Sequence, residues 1–209
     1  KDNTFLNITA SVYEDQREKT KDRYEHILPN IMYGKTLFTE KMGYFDFQTS
    51  TSYKNYDGDK HYSFLNNDLI WTSNSIISQK GLVNSLKGMI TNLNYDAKNT
   101  GGDYKTDGTV SELKSVLTYK SSLPLKKDNP NSINIFSPTF MVRYAPGHMR
   151  NLSDESLMLK YTNLFSMNKT SEIDNGLSTI LGFDFKKSNK NKDGSNSDRF
   201  SLSVGQVFR

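Results

Sequence analysis

The sequence has no cysteine among its 209 residues. Within this chain, that absence excludes a disulfide framework, thiol catalysis and cysteine-ligated zinc. No apolar run approaches the roughly 18 residues that a membrane-spanning helix needs, so the sequence predicts no such helix. The first residues, KDNTFLNITASVYED, lack the pattern of a secretory leader, and we expect no signal peptide in them. We also expect the chain to be a piece of a longer protein.

The sequence motifs of common enzymes are missing as well. There is no Gly-x-Ser-x-Gly nucleophile elbow, no Walker loop and no dinucleotide fingerprint. The three histidines (His26, His61, His148) are far apart, and none has a second ligand at metal-binding spacing. Asp57 and Asp193 each precede a glycine, but neither stretch continues as a calcium loop. We therefore predict no enzymatic activity, no metal and no cofactor.

The charge and the aromatic content narrow the class of protein. The net charge is +4, from 27 basic and 23 acidic residues spread along the chain, without a basic stripe for nucleic acid. Only 34% of the residues are hydrophobic, yet 12% are aromatic, which is more than disordered segments contain. Transmembrane β-barrels combine an apolar outer band with a polar interior, so their average hydropathy resembles that of soluble proteins.

The clearest structural signal is an alternation of apolar and polar residues in residues 136–144. A period of two is typical of a strand with one apolar face. Pro146 and Gly147 then break the run, and a polar link leads to a second predicted strand through Leu164 and Phe165. The residues on the first face are Pro138, Phe140, Val142 and Tyr144, and those on the second are Ser137, Thr139, Met141 and Arg143.

Similar runs recur along the whole chain, about ten in number and spaced at roughly twenty residues, which exceeds the spacing of a compact sandwich. No stretch has a sustained helical period, although residues 81–90 could form a short helix. The sequence therefore predicts an all-β fold: an antiparallel meander of about ten strands. We expect residues 1–209 to be one partial domain of a large transmembrane β-barrel.

In such a barrel the polar residues of each strand face the lumen. They alternate with apolar residues that face outward. The predicted lumen-facing residues are Asp46, Gln48, Ser50, Ser52, Glu112, Lys114, Arg143, Ser178 and Asp184.

The C-terminal part of the chain resembles a known family. Three segments carry the resemblance: SPTFMVRYAP (137–146), DESLMLKYTNLFS (154–166) and RFSLSVGQVFR (199–209). They are similar to the LptD family of lipopolysaccharide-assembly proteins, also called organic solvent tolerance proteins. The family tends to show a proline opening a strand, a Tyr-x-Pro closing it, an Asn-Leu-Phe-like turn and a later strand ending in Gly-Gln. The matching positions are Pro138, Tyr144, Pro146, Asp154, Ser156, Asn163, Leu164, Phe165, Gly205 and Gln206.

The resemblance implies a function that composition and spacing do not. It implies a barrel of about 26 strands that inserts lipopolysaccharide into the outer leaflet of the Gram-negative outer membrane. The further barrel strands and an N-terminal periplasmic domain would lie outside residues 1–209. The implied partners are lipopolysaccharide, an LptE-like plug lipoprotein and, through the periplasmic domain, an LptA-like bridge protein.

Two other functions remain open from the residues alone. One is a general or substrate-specific porin-like channel, which would share the same fold class. The other is a soluble domain that binds glycans through exposed aromatic residues. Neither alternative involves a nucleic acid, because the chain has no basic stripe.

Overall fold

The computed structural model describes residues 3–17, 23–56, 59–100, 107–147, 163–167, 175–191 and 195–209. All of its regular elements are strands, so the predicted all-β class is confirmed. No helix in the described ranges is long and apolar enough to cross a membrane. The strands are β1 (Asn3–Glu14), β2 (Tyr24–Thr39), β3 (Gly43–Tyr56), β4 (Lys60–Thr72), β5 (Ile76–Ile77), β6 (Val83–Lys98), β7 (Gly108–Ser122), β8 (Leu125–Asp128), β9 (Ser132–Ala145), β10 (Gly176–Lys190) and β11 (Asn196–Phe208).

The strands form one sheet in which neighbours along the chain are neighbours in space. Its order is β1-β2-β3-β4-β6-β7-β9-β10-β11, with β5 paired to β6 and β8 paired to β9. The pairings whose register is resolved are antiparallel. This confirms the antiparallel meander. Within the described ranges, β1 and β11 are the two end strands and each has a neighbour on one side only.

Two prolines lie inside strands, each at a break in the pairing. The register of β2 shifts against both neighbours around Pro29. Pro138 lies opposite the break between β7 and β8, where the carbonyl of Pro138 accepts a hydrogen bond from the backbone N–H of Leu123. Because proline has no N–H to donate, a strand tolerates it best at such a position.

Three expectations about local structure are wrong. Residues 81–90 form no helix, since β6 begins at Val83. Pro138 does not open its strand, because β9 starts at Ser132. Leu164 and Phe165 belong to a turn rather than to the returning strand that residue type predicts, and the resemblance places an Asn-Leu-Phe-like turn at these positions. The turn forms because the amide and the hydroxyl of Ser166 both donate to the carbonyl of Asn163, which satisfies that carbonyl locally.

The chain divides into two compact units. The first unit consists of Lys1–Trp71 and Met89–Lys114, and the second consists of Thr72–Gly88 and Ser115–Arg209. The first contains β1 to β3 and all of β4 except its last residue, Thr72, and the second contains β5 and β8 to β11. The division therefore crosses β6 and β7 partway along their length.

Candidate functional site

In the second unit, one face of the sheet is apolar and exposed. Leu177 and Leu181 on β10 keep 58% and 49% of their surface accessible, which is far more than core leucines keep. Phe140 lies directly opposite Leu181 on β9, so the apolar residues of adjacent strands form one surface. We call this the apolar face of the second unit. On β9 to β11, its exposed large side chains are Phe136, Phe140, Tyr144, Leu177, Leu181, Phe200, Leu202, Val204 and Phe208.

The opposite side of the same strands, the polar face of the second unit, contains the buried side chains. Arg143 is 2% exposed and Ile180 is fully buried, although most other residues on this face are polar. This arrangement inverts the usual pattern of a soluble protein, in which large apolar side chains are buried. The buried residues of the polar face on β9 and β10 are Thr139, Met141, Arg143, Ala145, Ser178, Ile180 and Ser188.

The apolar face has a definite height. It extends over nine residues of each strand, namely 136–144 of β9, 177–185 of β10 and 200–208 of β11. At about 3.3 Å per residue, eight steps along a strand span about 26 Å. Aromatic rings mark one end, where the ring centroids of Phe136 and Phe183 are 5.2 Å apart. Tyr144 marks the other end and is half exposed.

Arg143 and Ser178, two predicted lumen-facing residues, are direct neighbours on the polar face. Arg143 of β9 lies opposite Ser178 of β10 on one side and opposite Thr118 of β7 on the other. The guanidinium is covered rather than solvated, since Arg143 is 2% exposed. Its Nε donates a 2.6 Å hydrogen bond to the carbonyl oxygen of Met167. A buried guanidinium requires such partners, since a charge without them is costly in a low dielectric. Arg143 therefore anchors the segment that covers it.

That segment, residues 163–167, is named here the docked turn. Leu164 is 8% exposed and packs against Met141 and Ile180, while Phe165 and Val207 contact the same cluster. Burying a leucine side chain contributes about 1.5–3 kcal/mol, and a hydrogen bond from a charged donor contributes about as much. A few such contributions hold the docked turn on the polar face.

A pair of glycines makes room for the docked turn. Gly182 of β10 lies opposite Gly205 of β11. A Cβ on Gly205 would lie 2.1 Å from Leu164 Cδ2. A Cβ on Gly182 would lie 2.4 Å from the carbonyl oxygen of Val204 on β11 and 2.9 Å from Phe165 Cζ. Real Cβ atoms do not approach so closely, so both glycines are required by packing. The family-motif residues Leu164, Phe165 and Gly205 are thus brought together.

Asp184, the third predicted lumen-facing residue of this unit, belongs to a charged row nearer the end of the sheet. It accepts a 2.5 Å hydrogen bond from the hydroxyl of Ser203. Two residues further along β10, Lys186 forms a 2.8 Å ion pair with Asp198. Hydrogen bonds from Lys186 and then Ser188 lower the pKa of the Asp198 carboxyl below its ordinary range.

The first unit has a less uniform apolar face. Leu6, Ile8 and Val12 of the end strand β1 are exposed on it, and Phe45 stacks on Trp71. Polar pairs, however, interrupt this face. Thr49 donates a 2.6 Å hydrogen bond to Asn67.

More polar residues of the same face lie on β4, β6 and β7. The hydroxyl of Thr109 donates to Asp96 at 2.8 Å, and His61 lies 3.4 Å from the same carboxylate. The hydroxyl of Ser111 donates to Asn94 at 2.7 Å. These side chains satisfy one another, so the face carries polar groups that are paired within the sheet.

The remaining predicted lumen-facing residues lie on the polar face of the first unit. Asp46 accepts a 2.7 Å hydrogen bond from Thr36, and Ser52 is buried. Gln48 is exposed, and Ser50 is half-buried. All four alternate with Phe45 and Phe47 along β3, as the period of two predicts.

Glu112 and Lys114 share that same side of β7. Their side chains form a 2.7 Å ion pair and keep 30% and 28% of their surface exposed. Such a half-exposed pair contributes about 0–1 kcal/mol. The pair is therefore typical of a surface in contact with water and adds little to the free energy of unfolding.

A cleft of about 320 Å³ lies where β1 to β4 end in the first unit. Its charges are matched, because Arg23 pairs with Glu14 and Lys54 pairs with Glu25 at 3.1 Å. Hydrogen bonding to Glu14 raises the pKa of Arg23. The cleft is lined by Tyr13, Glu14, Asp15, Arg23, Glu25, Tyr56 and Lys60.

The other family-motif residues are dispersed. Tyr144 and Pro146 lie at the end of β9, and Gln206 lies on the apolar face of β11, opposite Leu181. Asn163 begins the docked turn. Asp154 and Ser156 lie outside the described residues, as do Asp57, Asp193 and His148.

Sequence reasoning missed Gly182 and Ile180, which lie beneath the docked turn. The signal available for Gly182 was a glycine in the interior of an apolar strand, which often marks a close approach of another backbone or side chain. In the described ranges, no three His, Asp or Glu side chains form a group that could hold a metal ion. No protein-family model matches the chain, and neither does any curated protein sequence.

Proposed function

We propose that this chain is part of the barrel of an outer-membrane translocon that inserts lipopolysaccharide into the outer leaflet of a Gram-negative outer membrane. The observation that carries the proposal is the one-sidedness of the second unit. Large apolar side chains of β9 to β11 are exposed on one face, while Arg143, Ser178 and Ser188 are buried on the other. This is what strands between hydrocarbon and a polar lumen require.

The dimensions support the same conclusion. A membrane-spanning strand needs about 9–11 residues, and the apolar band of such barrels is about 25 Å tall with aromatic residues at both interfaces. The apolar face of the second unit is nine residues tall. The Phe136–Phe183 contact at one end and Tyr144 at the other would form the two aromatic belts.

The choice of lipopolysaccharide over other solutes rests on the resemblance of three C-terminal segments to the LptD family. Two of these segments are in contact, since Leu164 of one packs on Gly205 of another. In this proposal the polar faces accommodate the hydrated glycan, and no residue performs bond chemistry. An LptE-like lipoprotein would fill the lumen, and an LptA-like protein would deliver the lipid from the periplasm.

The test is depletion of the full-length protein in its Gram-negative host. We expect lipopolysaccharide at the cell surface, labelled on intact cells, to fall as the protein is depleted. Unchanged surface lipopolysaccharide would contradict the proposal. If uptake of small solutes changed instead, the protein would be a porin-like channel.

A second measurement addresses the soluble alternative. The exposed leucines of the apolar face would make the full-length protein insoluble without detergent or lipid. A purified full-length protein that remains monomeric in detergent-free buffer and binds glycans would instead be a glycan-binding domain.

A further inference from the structure

Two lysines lie at one end of the apolar face of the second unit. Lys127 of β8 lies opposite Asn134 of β9, and Lys187 of β10 lies opposite the same asparagine from the other side. Residues directly opposite each other share one side of a sheet, and Asn134 is two residues from Phe136 on β9. Both lysines therefore lie on the side of the apolar face. Lys127 and Lys187 are named here the lysine pair.

The residues beside the lysine pair are apolar. Leu125 of β8 and Phe185 of β10 both lie opposite Phe136 of β9. On β11, Phe200 lies opposite Lys187 itself. Leu125 and Phe200 each keep about half of their surface accessible. A single partner that covers this surface and also contacts the lysines needs an apolar chain next to an anionic group.

Two carboxylates at the same end of the sheet lie on the polar face and are paired there. Asp198 forms a 2.8 Å ion pair with Lys186, and Asp128 forms a 2.5 Å ion pair with Lys190. Lys126 lies 3.5 Å from Asp128 as well. Among the residues that the structure describes, no ion pair includes a member of the lysine pair. Its two positive charges are therefore available to an anion that approaches the apolar face.

The spacing of the lysine pair suits one phosphate group. One strand separates Lys127 from Lys187, so their backbones lie about 10 Å apart, which is twice the spacing of neighbouring strands. A lysine carries its charge on a flexible four-carbon stem, so the two ammonium groups can converge on the same anion. Hydrogen bonds from an ammonium group to a phosphate are charge-assisted. The stems can meanwhile cover the apolar residues beneath them.

The lengths of the connections indicate which leaflet this end would meet. At this end, β8 and β9 are joined by residues 129–131, and β10 and β11 by residues 191–195. At the other end, β9 and β10 are joined by residues 146–175. Transmembrane barrels have short periplasmic turns and longer extracellular loops. In the proposed barrel, the lysine pair would therefore face the periplasmic leaflet, which is not the leaflet that receives lipopolysaccharide.

We propose that the lysine pair binds the phosphate of an anionic phospholipid of the phosphatidylglycerol class, whose acyl chains lie on Phe136 and Phe200. This inference rests on the proposed function, since that function places the apolar face in a membrane and this end of the strands at the periplasm. The bound lipid fixes the depth of β8 to β11 in the bilayer.

The test identifies the lipid that lies beside Leu125. In the full-length protein, with any cysteine elsewhere replaced, Leu125→Cys carries a fluorophore, and the protein is reconstituted in phosphatidylcholine vesicles. The vesicles contain the same small fraction of either brominated phosphatidylglycerol or brominated phosphatidylcholine. Brominated chains quench a fluorophore that they contact, so we expect stronger quenching by the phosphatidylglycerol. Equal quenching by the two lipids, or quenching by neither, would overturn the proposal.

Matched variants separate the lysine pair from a general attraction between charges. A lysine near a membrane surface favours an anionic lipid by about fivefold. Lys127→Gln with Lys187→Gln should therefore lower the preference for phosphatidylglycerol by about fivefold for each lysine removed. Lys126→Gln with Lys186→Gln removes the same two charges from neighbouring positions on the polar face and should leave the preference unchanged. An equal loss in both double variants would overturn the site.

A charge-preserving variant covers the case in which the glutamine variant fails to fold. Lys127→Arg with Lys187→Arg retains both cations on long side chains. The preference for phosphatidylglycerol should stay within about twofold of that of the unmodified protein, since each cation contributes about fivefold. Loss of the preference in a folded arginine variant would overturn the proposal.

A labelling experiment distinguishes a phospholipid from lipopolysaccharide as the occupant. Asn131 is exposed in the connection between β8 and β9, at the same end as the lysine pair. In the full-length protein, Asn131→Cys should not react with a membrane-impermeant thiol reagent on intact cells, and it should react once the outer membrane is permeabilised. Reaction on intact cells would place the lysine pair at the cell surface and overturn the assignment to a phospholipid.

The two proposals can fail separately. If depletion leaves surface lipopolysaccharide unchanged but the quenching depends on the lysine pair as expected, the translocon function is wrong and the lipid site stands. If depletion lowers surface lipopolysaccharide but the two brominated lipids quench equally, the function stands and the lipid site is wrong.

Discussion

The two compact units place their polar side chains differently. On the apolar face of the first unit, pairs such as Thr49 with Asn67 and Ser111 with Asn94 lie among leucines and aromatic rings. On the apolar face of the second unit, the nine-residue bands are almost free of such groups, with Gln206 and Thr179 as the exceptions. Their polar faces differ too, since only the second is covered by the docked turn.

If the proposed function is right, this difference concerns the faces that would contact hydrocarbon. A polar group in lipid must find a partner, because no water is available to it. In the proposed barrel, the first unit would meet this requirement by pairing its polar groups across strands, whereas the bands of β9 to β11 in the second unit contain few polar groups. The strands β2 and β6 of 16 residues also exceed the length that a bilayer requires. Their polar ends, near Asp96, would extend into water.

The largest effect should come from a charge on the uniform face. Leu181 is the centre of the apolar band of β10. In the proposed barrel, Leu181→Arg would place a cation at the membrane midplane, at a cost of about 2–4 kcal/mol. The same charge at Asn67, Asn67→Arg, should cost less because the position is already polar. The measurement is the free energy of unfolding of the full-length protein in lipid vesicles, from urea titration. A change within about 0.5 kcal/mol for Leu181→Arg, as on a water-exposed surface, would contradict the comparison.

A second test compares two glycines that lie under side chains. Gly205→Val would collide with the buried Leu164 and should destabilise the protein by about 1–3 kcal/mol. In the first unit, a Cβ on Gly34 would lie 2.1 Å from the ring of Phe5, but this ring is half exposed and can rotate away. Gly34→Val should therefore cost less in the same unfolding titration. If both variants lost the same free energy of unfolding, Leu164 would be packed no more tightly on Gly205 than the exposed Phe5 ring is on Gly34.

A third test compares the buried Arg143 with the half-buried Lys114. Arg143→Met removes the donor to the Met167 carbonyl and should cost about 1–3 kcal/mol. Lys114→Met removes one partner of the half-exposed pair with Glu112, and about 1 kcal/mol or less is expected. The measurement is the free energy of unfolding of each variant in lipid vesicles. A larger effect for Lys114→Met would show that the polar face of the first unit is the better packed of the two.

The smallest effect should be on how the free energy of unfolding changes with pH in acid. Hydrogen bonds from Lys186 and Ser188 lower the pKa of Asp198 from its ordinary 3.8, and a hydrogen bond from Lys98 lowers that of Asp59. A carboxyl with a depressed pKa stabilises the folded state above its unfolded pKa, and this contribution is lost as the pH falls through the folded value. Asp198→Asn should therefore flatten the stability curve below pH 4, and Asp59→Asn should do so in the first unit. Unchanged curves in both variants would show that these pairs make no contribution.

Much of the fold could be predicted from alternation. Asp46, Gln48, Ser50 and Ser52 fall on one side of β3 because a strand has a period of two, and no tertiary information was needed. The residues at which strands begin and end are harder to predict from alternation. β9 begins at Ser132 because tertiary pairing with β8 and β10 extends it past the proline that suggested a boundary.

The cover on the polar face could not be predicted. Leu164 and Phe165 look like strand residues by type, and only the resemblance places a turn there. Their contacts with Gly205 and Gly182 on the polar face cannot be read from the sequence. Such a contact joins residues far apart in sequence, and local patterning carries no information about it. The same holds for the burial of Arg143, whose sequence neighbours predict only which side of β9 it occupies.

The most direct test of the account is whether the apolar face of the second unit is in contact with lipid. Because these 209 residues contain no cysteine, single cysteines along residues 200–208 of the full-length protein can carry spin labels once any cysteine elsewhere is replaced. In lipid vesicles, we predict that collisions with oxygen, which partitions into lipid, peak at positions 202 and 204, and that collisions with a water-soluble nickel chelate peak at 201 and 203. Equal access of the nickel chelate to both sets of positions would contradict the account.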